Sequence, residues 1–307
     1  MIGTANRLLV VGGNGFVGQH VVTQAAALGW SVTSLSLSRA RGDVLPGVIY
    51  VTANITDPDS LRAALPAASY EYVVNCGGYI DHTLYFRGGR QVLEAHFSGL
   101  MNIVDRLDRS ALKGFVNIGS SDEYGGMPAP QAEILREVPI SPYSIGKVAA
   151  THLLQMLHRT ENFPATTLRL FLTYGPGQDG RRFLPQIISG CLQGKTFPAS
   201  AGGQLRDFCH VQDTVAAVFA ALQSPAARGE VINIGSGKPV SIRKMIELVQ
   251  ALVGTGRPEY GAIPYRAGEN MELYPDISKA QRLLGWRPAV ELEAGLQDTI
   301  RWVKEQL

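Results

Sequence analysis

Cysteine and charged residues are scarce in this sequence. Of its 307 residues, 3 are cysteine and 18% are charged, and the formal net charge is +2. An odd number of scattered cysteines argues against a disulfide framework and against a zinc cluster, so we predict no metal site and a reducing, cytoplasmic setting. The near-neutral charge argues against nucleic acid and the membrane surface as partners, because both are bound through basic surfaces.

One long stretch lacks charge altogether. Residues 8–38 contain no Asp, Glu, Lys or Arg, and a membrane helix needs only about 20 such residues. Glycines, glutamines and hydroxyl residues interrupt the stretch, however, and the apolar run at its start, residues 8–11, is too short for the core of a signal peptide. We therefore predict a buried strand, a glycine turn and a buried helix here, and no membrane partner.

Short apolar runs alternate with helical patterns along the first part of the chain. This alternation predicts βαβ units and a parallel sheet whose strands are covered on both faces. The predicted strands are residues 7–11, 31–37, 48–52, 72–75, 114–119, 166–172 and 230–234. The predicted helices are residues 16–28, a short one starting near 57, then 89–109, 143–160, 183–190, 213–223, 241–252, 277–284 and 291–306.

The rhythm changes after residue 172, where Gly and Pro become frequent. We predict an α/β fold with a doubly wound parallel Rossmann sheet in residues 1–172, joined by residues 210–235. Residues 173–209 and 236–307 would form a smaller, discontinuous C-terminal substrate-binding cap, and the stretch from the helix at 183–190 to Arg206 would be a loop.

A glycine loop lies between the first strand and the first helix. A turn of this kind lets backbone N–H groups and the positive end of a helix approach a pyrophosphate, so it predicts a dinucleotide cofactor. The alternative is a purely structural turn. The predicted cofactor contacts in this loop are Gly12, Asn14, Gly15, Phe16, Val17 and Gly18.

The end of the second strand bears on the choice of cofactor. An NAD site usually carries an acid there, but this chain has Ser36, followed by Ser38, Arg39 and Arg41. Two guanidinium groups could pair with a 2′-phosphate, which favours NADP(H), with NAD(H) as the alternative. The alternative is that Arg39 and Arg41 form a solvated loop, in which case they do not favour NADP(H). Further cofactor contacts are predicted at Asn54, Ile55 and Cys76.

Tyr143 and Lys147 are four residues apart in a predicted helix, so both side chains lie on one face. A neighbouring ammonium favours phenolate and would lower the pKa of Tyr143 towards neutral pH. Such a tyrosine can exchange a proton with a carbonyl or hydroxyl oxygen. Ser120 and Ser121 end a predicted parallel strand, where a hydroxyl could hydrogen-bond the same oxygen.

Taken together, these motifs resemble the extended short-chain dehydrogenase/reductases of the NAD(P)-dependent nucleotide-sugar epimerase, dehydratase and 4-ketoreductase family. The resemblance spans essentially the whole chain. It implies a nucleoside-diphosphate sugar as substrate and a homodimer built from the helices predicted at 89–109 and 143–160. Its later motifs are residues 168–171 (LRLF), 174–177 (YGPG), 206–208 (RDF) and 284–288 (LGWRP).

The resemblance also implies roles for individual residues. Tyr143 would be the catalytic acid and base, Lys147 would hold the nicotinamide ribose, and Ser121, with Ser120 beside it, would complete the triad. Arg206 would grip the diphosphate, unless it forms a structural ion pair with Asp207 or Asp213. The other predicted substrate contacts are Thr173, which replaces a common asparagine, Arg182 and Gln204.

Asp122 and Glu123 bear on the reaction. In related 4,6-dehydratases an acid pair after the hydroxyl residue eliminates water, whereas a similar segment occurs in NADPH-dependent reductases of 4-keto-6-deoxyhexoses. Because Ser36 stands where an NAD enzyme usually has an acid, the reductase is favoured. It would act in the synthesis of deoxysugars or cell-surface polysaccharides. The alternative is a 4,6-dehydratase or epimerase with tightly held cofactor, and a lesser alternative is a non-catalytic nucleotide sensor.

Overall fold

The computed structural model of the chain describes residues 5–39, 44–265 and 268–307. Its strands are β1 (Arg7–Val11), β2 (Ser31–Ser36), β3 (Val48–Thr52), β4 (Tyr72–Asn75), β5 (Gly114–Ser120), β6 (Ala165–Leu170), β7 (Leu172–Tyr174), β8 (Thr196–Ala199), β9 (Leu205–His210), β10 (Val231–Ile234), β11 (Pro239–Ser241), β12 (Arg257–Tyr260) and β13 (Glu272–Leu273). Its helices are α1 (Phe16–Ala27), α2 (Pro58–Ala64), α3 (Arg90–His96), α4 (Ser98–Arg106), α5 (Pro142–Glu161), α6 (Phe183–Leu192), α7 (Val211–Gln223), α8 (Ile242–Val253), α9 (Ser278–Leu284) and α10 (Leu292–Glu305).

The central sheet has seven strands in the order β3-β2-β1-β4-β5-β6-β10. All neighbouring pairs are parallel. The chain starts in the middle of the sheet, builds out to β3, then returns to the other side of β1, so the predicted doubly wound Rossmann fold is confirmed. Strand β10 rejoins this sheet beside β6, as the apolar run at residues 230–234 predicts.

Helices cover both faces of the sheet, as the apolar character of its strands requires. Leu8 and Val10 of β1 pack into a core with α1 and α7, whereas Leu9 and Val11 pack into a second core with α4 and α5. The alternation follows the two-residue period of a strand, and because both faces are buried the strand reads as continuously apolar.

A second layer lies beyond residue 172. Strand β9 pairs with β7, β11 and β13, and β8 pairs with β12. Helices α6, α8 and α10 enclose a third core against this layer. The prediction of a loop between residues 190 and 206 was wrong, because this stretch contains β8 and the start of β9. Strand β9 was missed because Arg206 and Asp207 interrupt its apolar character. The predicted domain division stays a prediction, with β7 and β9 in the second layer and β10 in the central sheet.

The helix predicted over residues 89–109 is two helices, α3 and α4. Phe97 separates them, with φ −100° and ψ −59° instead of regular helical angles. No glycine or proline lies at the break, so hydrophobic periodicity alone could not locate it. None of the described helices is both long and apolar enough to cross a membrane.

Candidate active site

The carboxyl ends of β1, β4 and β5 lie side by side at one edge of the central sheet. Val11 is in register with Asn75, and Asn75 with Asn117. The loops that follow these strands therefore emerge together, which is where open α/β sheets bind ligands.

The loop after β1 has the shape that a pyrophosphate site needs. Gly12 has φ +74°, and a Cβ atom there would lie 2.6 Å from the Cys76 carbonyl oxygen. At Gly18 a Cβ atom would collide with the Gly12 carbonyl. Gly15 is the N-cap of α1 and has no side chain to cap it, so the N–H groups of the first turn, at Phe16, Val17 and Gly18, are left for a ligand. These residues fit the diphosphate of a dinucleotide cofactor.

A cavity of about 330 Å³ lies beside this loop. Asn14, Ser38 and Arg39 line it, and none of the described residues in its lining is an acid. Ser36 lies at the end of β2, and its hydroxyl accepts the backbone N–H of Asn14 at 3.0 Å, while the Asn14 amide donates to the Ser38 carbonyl at 2.8 Å. Arg41 lies outside the described residues.

The other predicted cofactor contacts make mainly local interactions. The Asn54 side chain accepts from the N–H and hydroxyl of Thr56, at 3.0 and 2.8 Å. Ile55 packs under Gly77 and Gly99, where Cβ atoms would lie 3.1 and 2.8 Å from its Cδ1. Burial raises the pKa of the Cys76 thiol to about 12, so this residue is a neutral packing group and no nucleophile.

Helix α5 presents Tyr143 and Lys147 to the site. Ser141 caps the helix by accepting the Ser144 N–H at 3.1 Å, and Pro142 follows as its first residue. The Lys147 ammonium donates to the Ile118 carbonyl at 2.7 Å and lies 5.8 Å from the centre of the Tyr143 ring.

Burial dominates the ionisation of both side chains. It raises the pKa of Tyr143, which is 5% exposed, and it lowers the pKa of Lys147 to about 8. Because burial outweighs the neighbouring charges, the pKa of Tyr143 in the chain on its own does not approach neutral pH as predicted. Among the neighbours of Tyr143, the Ser120 hydroxyl and the Arg182 charge lower its pKa.

Of the two predicted hydroxyl groups, that of Ser120 acts on the pKa of Tyr143, and the predicted place of Ser121 in the triad stays a prediction. Ser120 ends β5 and acts on Tyr143 as a hydrogen-bonding neighbour. Ser121 instead opens a 3₁₀ turn and is 4% exposed. Because the strand ends between the two residues, their side chains leave the backbone in different directions.

Asp122 and Glu123 lie in different environments. Burial raises the pKa of Asp122, and the charges of His82, Arg206 and Arg182 oppose that rise. The nearest Asp122 oxygen is 3.7 Å from His82 Nε2, at the edge of the site.

Glu123 is fully buried beneath the end of β5. One of its oxygens accepts the Ser120 N–H at 2.9 Å, and the other accepts from the Thr151 hydroxyl and from Arg169 Nε, each at 2.9 Å. Arg169 itself is bound on its other side by Glu137 at 2.5 Å. The predicted catalytic role of Glu123 is therefore corrected: its carboxylate is occupied by an internal ion pair.

Arg206 reaches the site from β9. Its guanidinium pairs with Glu269 at 2.5 Å, and it is close enough to act on the charge of Asp122. The predicted alternative partners were wrong, because Asp207 accepts from Ser236 and Asp213 accepts from the N–H groups of residues 289 and 290. Glu269 lies 63 residues from Arg206 along the chain, and no local pattern in the sequence links them.

The remaining predicted substrate residues differ in their placement. Arg182 precedes α6, and its charge acts on both Asp122 and Tyr143. The Thr173 hydroxyl instead lies 3.2 Å from that of Thr214 on α7, and Gln204, which is 8% exposed, is bonded to Ser200 at 3.4 Å.

Two histidines flank Tyr143, and the sequence marks only His82, after the fourth strand, as a residue that could face the sugar or belong to an ordinary loop. The rings of His96 and His82 meet the tyrosine ring edge to face, with centroids 5.0 and 5.6 Å away. His96 ends α3, and His82 lies in the loop after β4. A histidine in that loop could signal the site, but nothing in the helical pattern around residue 96 does.

Comparison with known proteins agrees with this geometry. The model of the NAD dependent epimerase/dehydratase family matches residues 8–235. A UDP-glucuronate 4-epimerase of Thermodesulfobacterium geofontis is 29% identical over 258 residues, which cover 83% of this chain and 79% of that protein. A dTDP-glucose 4,6-dehydratase of Xanthomonas campestris pv. campestris is 27% identical, with 96% and 92% covered.

A solved structure extends the likeness to the whole fold. The UDP-glucose 4-epimerase of Thermotoga maritima with UDP-glucose has a TM-score of 0.90 at 26% identity, covering 98% of this chain and 99% of that one. The resemblance drawn from the sequence is confirmed: this chain belongs to the NAD-dependent epimerase/dehydratase family, whose relatives act on nucleotide sugars.

Proposed function

We propose that this protein oxidises and re-reduces C4 of a nucleoside-diphosphate sugar with a dinucleotide that stays bound, which is the chemistry of a 4-epimerase. The observation that carries the proposal is the set formed by Tyr143, Ser120 and Lys147 at the carboxyl edge of β5. Only one of the two neighbouring acids, Asp122, faces this set. The match to named 4-epimerases over most of the chain supports it.

The chain's own residues supply the proton chemistry and the binding. Tyr143 exchanges a proton with the sugar hydroxyl, and Ser120 orients the same oxygen. Lys147 favours the phenolate while its amine is charged. Arg206 and Arg182 are the cations placed to bind the diphosphate of the substrate. On binding, Arg206 would leave its ion pair with Glu269 and pair with the diphosphate. When bound, an oxidised nicotinamide supplies the hydride acceptor and a further positive charge that favours phenolate.

The placement of Glu123 separates the epimerase from a 4,6-dehydratase. Elimination of water needs a base at one carbon and an acid at another, in addition to Tyr143. Because the Glu123 carboxylate is occupied by Arg169, Thr151 and the Ser120 N–H, Asp122 alone remains. This supports redox chemistry at one carbon without elimination.

A second candidate is an NADPH-dependent 4-ketoreductase acting on a 4-keto-6-deoxyhexose. Ser36 favours it, because no carboxylate among the described residues at the end of β2 opposes a 2′-phosphate and Arg39 lines the adjacent cavity. A reductase consumes its cofactor, whereas an epimerase returns it unchanged. The fate of the cofactor therefore distinguishes the two reactions.

The deciding experiment is to purify the protein without added nucleotide, denature it and identify what is released. We expect about one NAD or NADP per chain, and we expect interconversion of UDP-glucose or UDP-glucuronate with its 4-epimer without net change in absorbance at 340 nm. Empty protein that oxidises NADPH with a 4-keto-6-deoxy sugar nucleotide would replace this proposal with the reductase. Release of a 4-keto-6-deoxy product from dTDP-glucose would replace it with the dehydratase.

Tyr143→Phe tests whether the site turns over at all. We expect kcat to fall by about 10³-fold with cofactor content unchanged, because only the proton-exchanging oxygen is removed. Tyr174→Phe is the matched control, since Tyr174 is a buried tyrosine of β7 whose hydroxyl donates to the Leu292 carbonyl at 3.3 Å. Wild type and Tyr143→Phe that are equally inactive on every sugar nucleotide would favour the nucleotide sensor.

A further inference from the structure

His96 is a buried side chain that the proposed chemistry does not use. It is 5% exposed and lies at the end of α3, where the helix pattern breaks before α4. Its Nε2 lies 2.9 Å from the carbonyl oxygen of Tyr79, in the loop that follows β4. Since a carbonyl only accepts, Nε2 carries the proton of the neutral ring.

The backbone around His96 is shaped to admit an imidazole. A Cβ atom at Gly78 would collide with His96 Cε1, and Gly78 has φ +95°, which favours glycine. At Gly146, inside α5 between Tyr143 and Lys147, a Cβ atom would lie 3.1 Å from His96 Cβ. Two glycines on separate elements thus leave room for the same side chain.

The imidazole stays uncharged in this position. Burial, followed by the charge of Lys147, lowers the pKa of His96 to about 3, and the Tyr79 carbonyl only partly opposes this. The groups facing it are Lys147 and Tyr143 of α5 and the backbone of the loop after β4. A protonated imidazole here would be repelled by the Lys147 ammonium, whereas the neutral ring packs against Tyr143 without adding charge.

We infer that His96 is a positioning residue for Tyr143. The His96 and Tyr143 rings meet edge to face, with centroids 5.0 Å apart and an interplanar angle of 83°. The Nε2 atom of His96 also hydrogen-bonds the Tyr79 carbonyl in the loop after β4. The imidazole therefore fixes the orientation of the phenol against a rigid point of the backbone. This inference rests on the proposed function, because it assigns Tyr143 as the proton-exchanging group.

Three variants separate positioning from simple packing. His96→Ala removes both contacts, and we expect kcat to fall by about 10- to 100-fold, because small misplacement of a reacting group is costly. The KM for the sugar nucleotide and the Kd of the dinucleotide should change by less than about threefold, since neither contact binds them. His96→Gln keeps a donor for Tyr79 and should recover part of kcat, and His96→Phe keeps only the ring contact.

His158 provides a matched control. Its Nδ1 lies 3.0 Å from the Phe163 carbonyl, and Gly229 leaves room for its ring as Gly78 does for His96. It lies in the last turn of α5, away from Tyr143. His158→Gln should lower stability without lowering kcat.

A spectroscopic measurement tests the inference without turnover. Nitrogen-15 NMR of labelled histidines, with His96 assigned from the His96→Gln spectrum, should show a neutral ring with the proton on Nε2 from pH 5 to pH 8. Titration of His96 in that range, a His96→Ala variant with kcat within twofold of wild type, or an equal loss of cofactor affinity and kcat would each overturn the inference. Failure of the proposed function would look different: wild type would be inactive on all sugar nucleotides while the His96 ring stayed neutral.

Discussion

We expect the ionisation of Lys147 to set the pH range in which the proposed site works. Its amine is buried against the Ile118 carbonyl, and burial lowers its pKa to about 8. It is charged below that pH and neutral above it. Burial raises the pKa of Tyr143, so formation of its phenolate depends on a nearby positive charge. Lys147 loses that charge above about pH 8.

We expect kcat/KM to fall as the pH rises through about 8. The physical reason is that the neutral amine no longer favours the phenolate of Tyr143. The measurement is a pH profile of kcat/KM from pH 6 to pH 10 for wild type and Lys147→Met. The variant should be slower by about 10²-fold or more and should lack this alkaline decline.

Lys113→Met is the control for this profile, because Lys113 is an exposed lysine paired with Glu71. It should keep the wild-type decline. A wild-type profile that stays level to pH 10 would contradict the assignment of the decline to Lys147.

The sequence predicts the residue types of the candidate site, but it does not choose between adjacent residues. Tyr143 and Lys147 share a face because a helix repeats every 3.6 residues, so their spacing alone predicts it. Ser120 and Ser121, and likewise Asp122 and Glu123, straddle the end of a strand and a 3₁₀ turn. Periodicity ends there, and only the fold decides which of two adjacent side chains faces the site.

At the scale of elements, the turn from β1 to α1 allows a test of close approach. Gly12 and Gly29 both have φ +74°, but only Gly12 has a neighbour where a Cβ atom would lie, the Cys76 carbonyl at 2.6 Å. Gly29→Ala should lower the free energy of unfolding by about 1–2 kcal/mol, the cost of left-handed geometry alone. Gly12→Ala should cost more and should abolish retention of the dinucleotide, as measured by urea unfolding and cofactor content.

Equal stability losses in the two glycine variants would contradict the role given to the Cys76 contact. Normal cofactor content in Gly12→Ala would contradict the placement of the pyrophosphate at this turn.

The ion pair between the 3₁₀ turn after β5 and strand β6 is a second element-scale test. Glu123 and Arg169 are both fully buried and 2.9 Å apart. Glu123→Gln should lower the free energy of unfolding by up to about 3–5 kcal/mol, because only Glu137 then balances the buried Arg169 charge. Arg169→Met in the same chain should restore part of that loss in urea unfolding.

The exposed pair of Arg109 and Glu161, 2.7 Å apart, is the control. Glu161→Gln should cost less than about 1 kcal/mol, because solvent screens the pair. If Glu123→Gln cost no more than this while kcat collapsed, Glu123 would act in catalysis and its assignment as an internal ion-pair partner would be wrong.

How well an element could be predicted depended on how much of its information is local. Strands β1, β3 and β4 form where the sequence has uniform apolar runs, and their ends match the prediction. Strands β8 and β9 have mixed composition and form because the second layer offers partners distant in sequence. The break between α3 and α4 likewise coincides with the contact of His96 to the loop after β4, which no local pattern encodes.

At the scale of the whole molecule, the site draws on both layers. Asp122 and Tyr143 come from the central sheet and α5, whereas Arg206 comes from β9 and Glu269 from the segment before β13. The sequence therefore predicted the dinucleotide half of the site in more detail than the sugar half. The first depends on one continuous β1–α1 unit, and the second depends on how two layers meet.

The family resemblance also implies a homodimer, and the surface of α5 offers a test of it. Ile145 and Met156 lie three turns apart on one face of that helix and are 41% and 39% exposed. If α3, α4 and α5 form the interface between two copies, light scattering should give a mass of twice 33.1 kDa. An interface of about 800 Å² per copy is enough for stable association.

Two buried aspartates would disrupt this interface, so the double variant Ile145→Asp, Met156→Asp should be monomeric with an unchanged circular dichroism spectrum. Ile263→Asp, at a residue that is 46% exposed outside α5, should remain dimeric. A wild-type protein that is monomeric at micromolar concentration, or a double variant that still dimerises, would show that these helices do not form the interface.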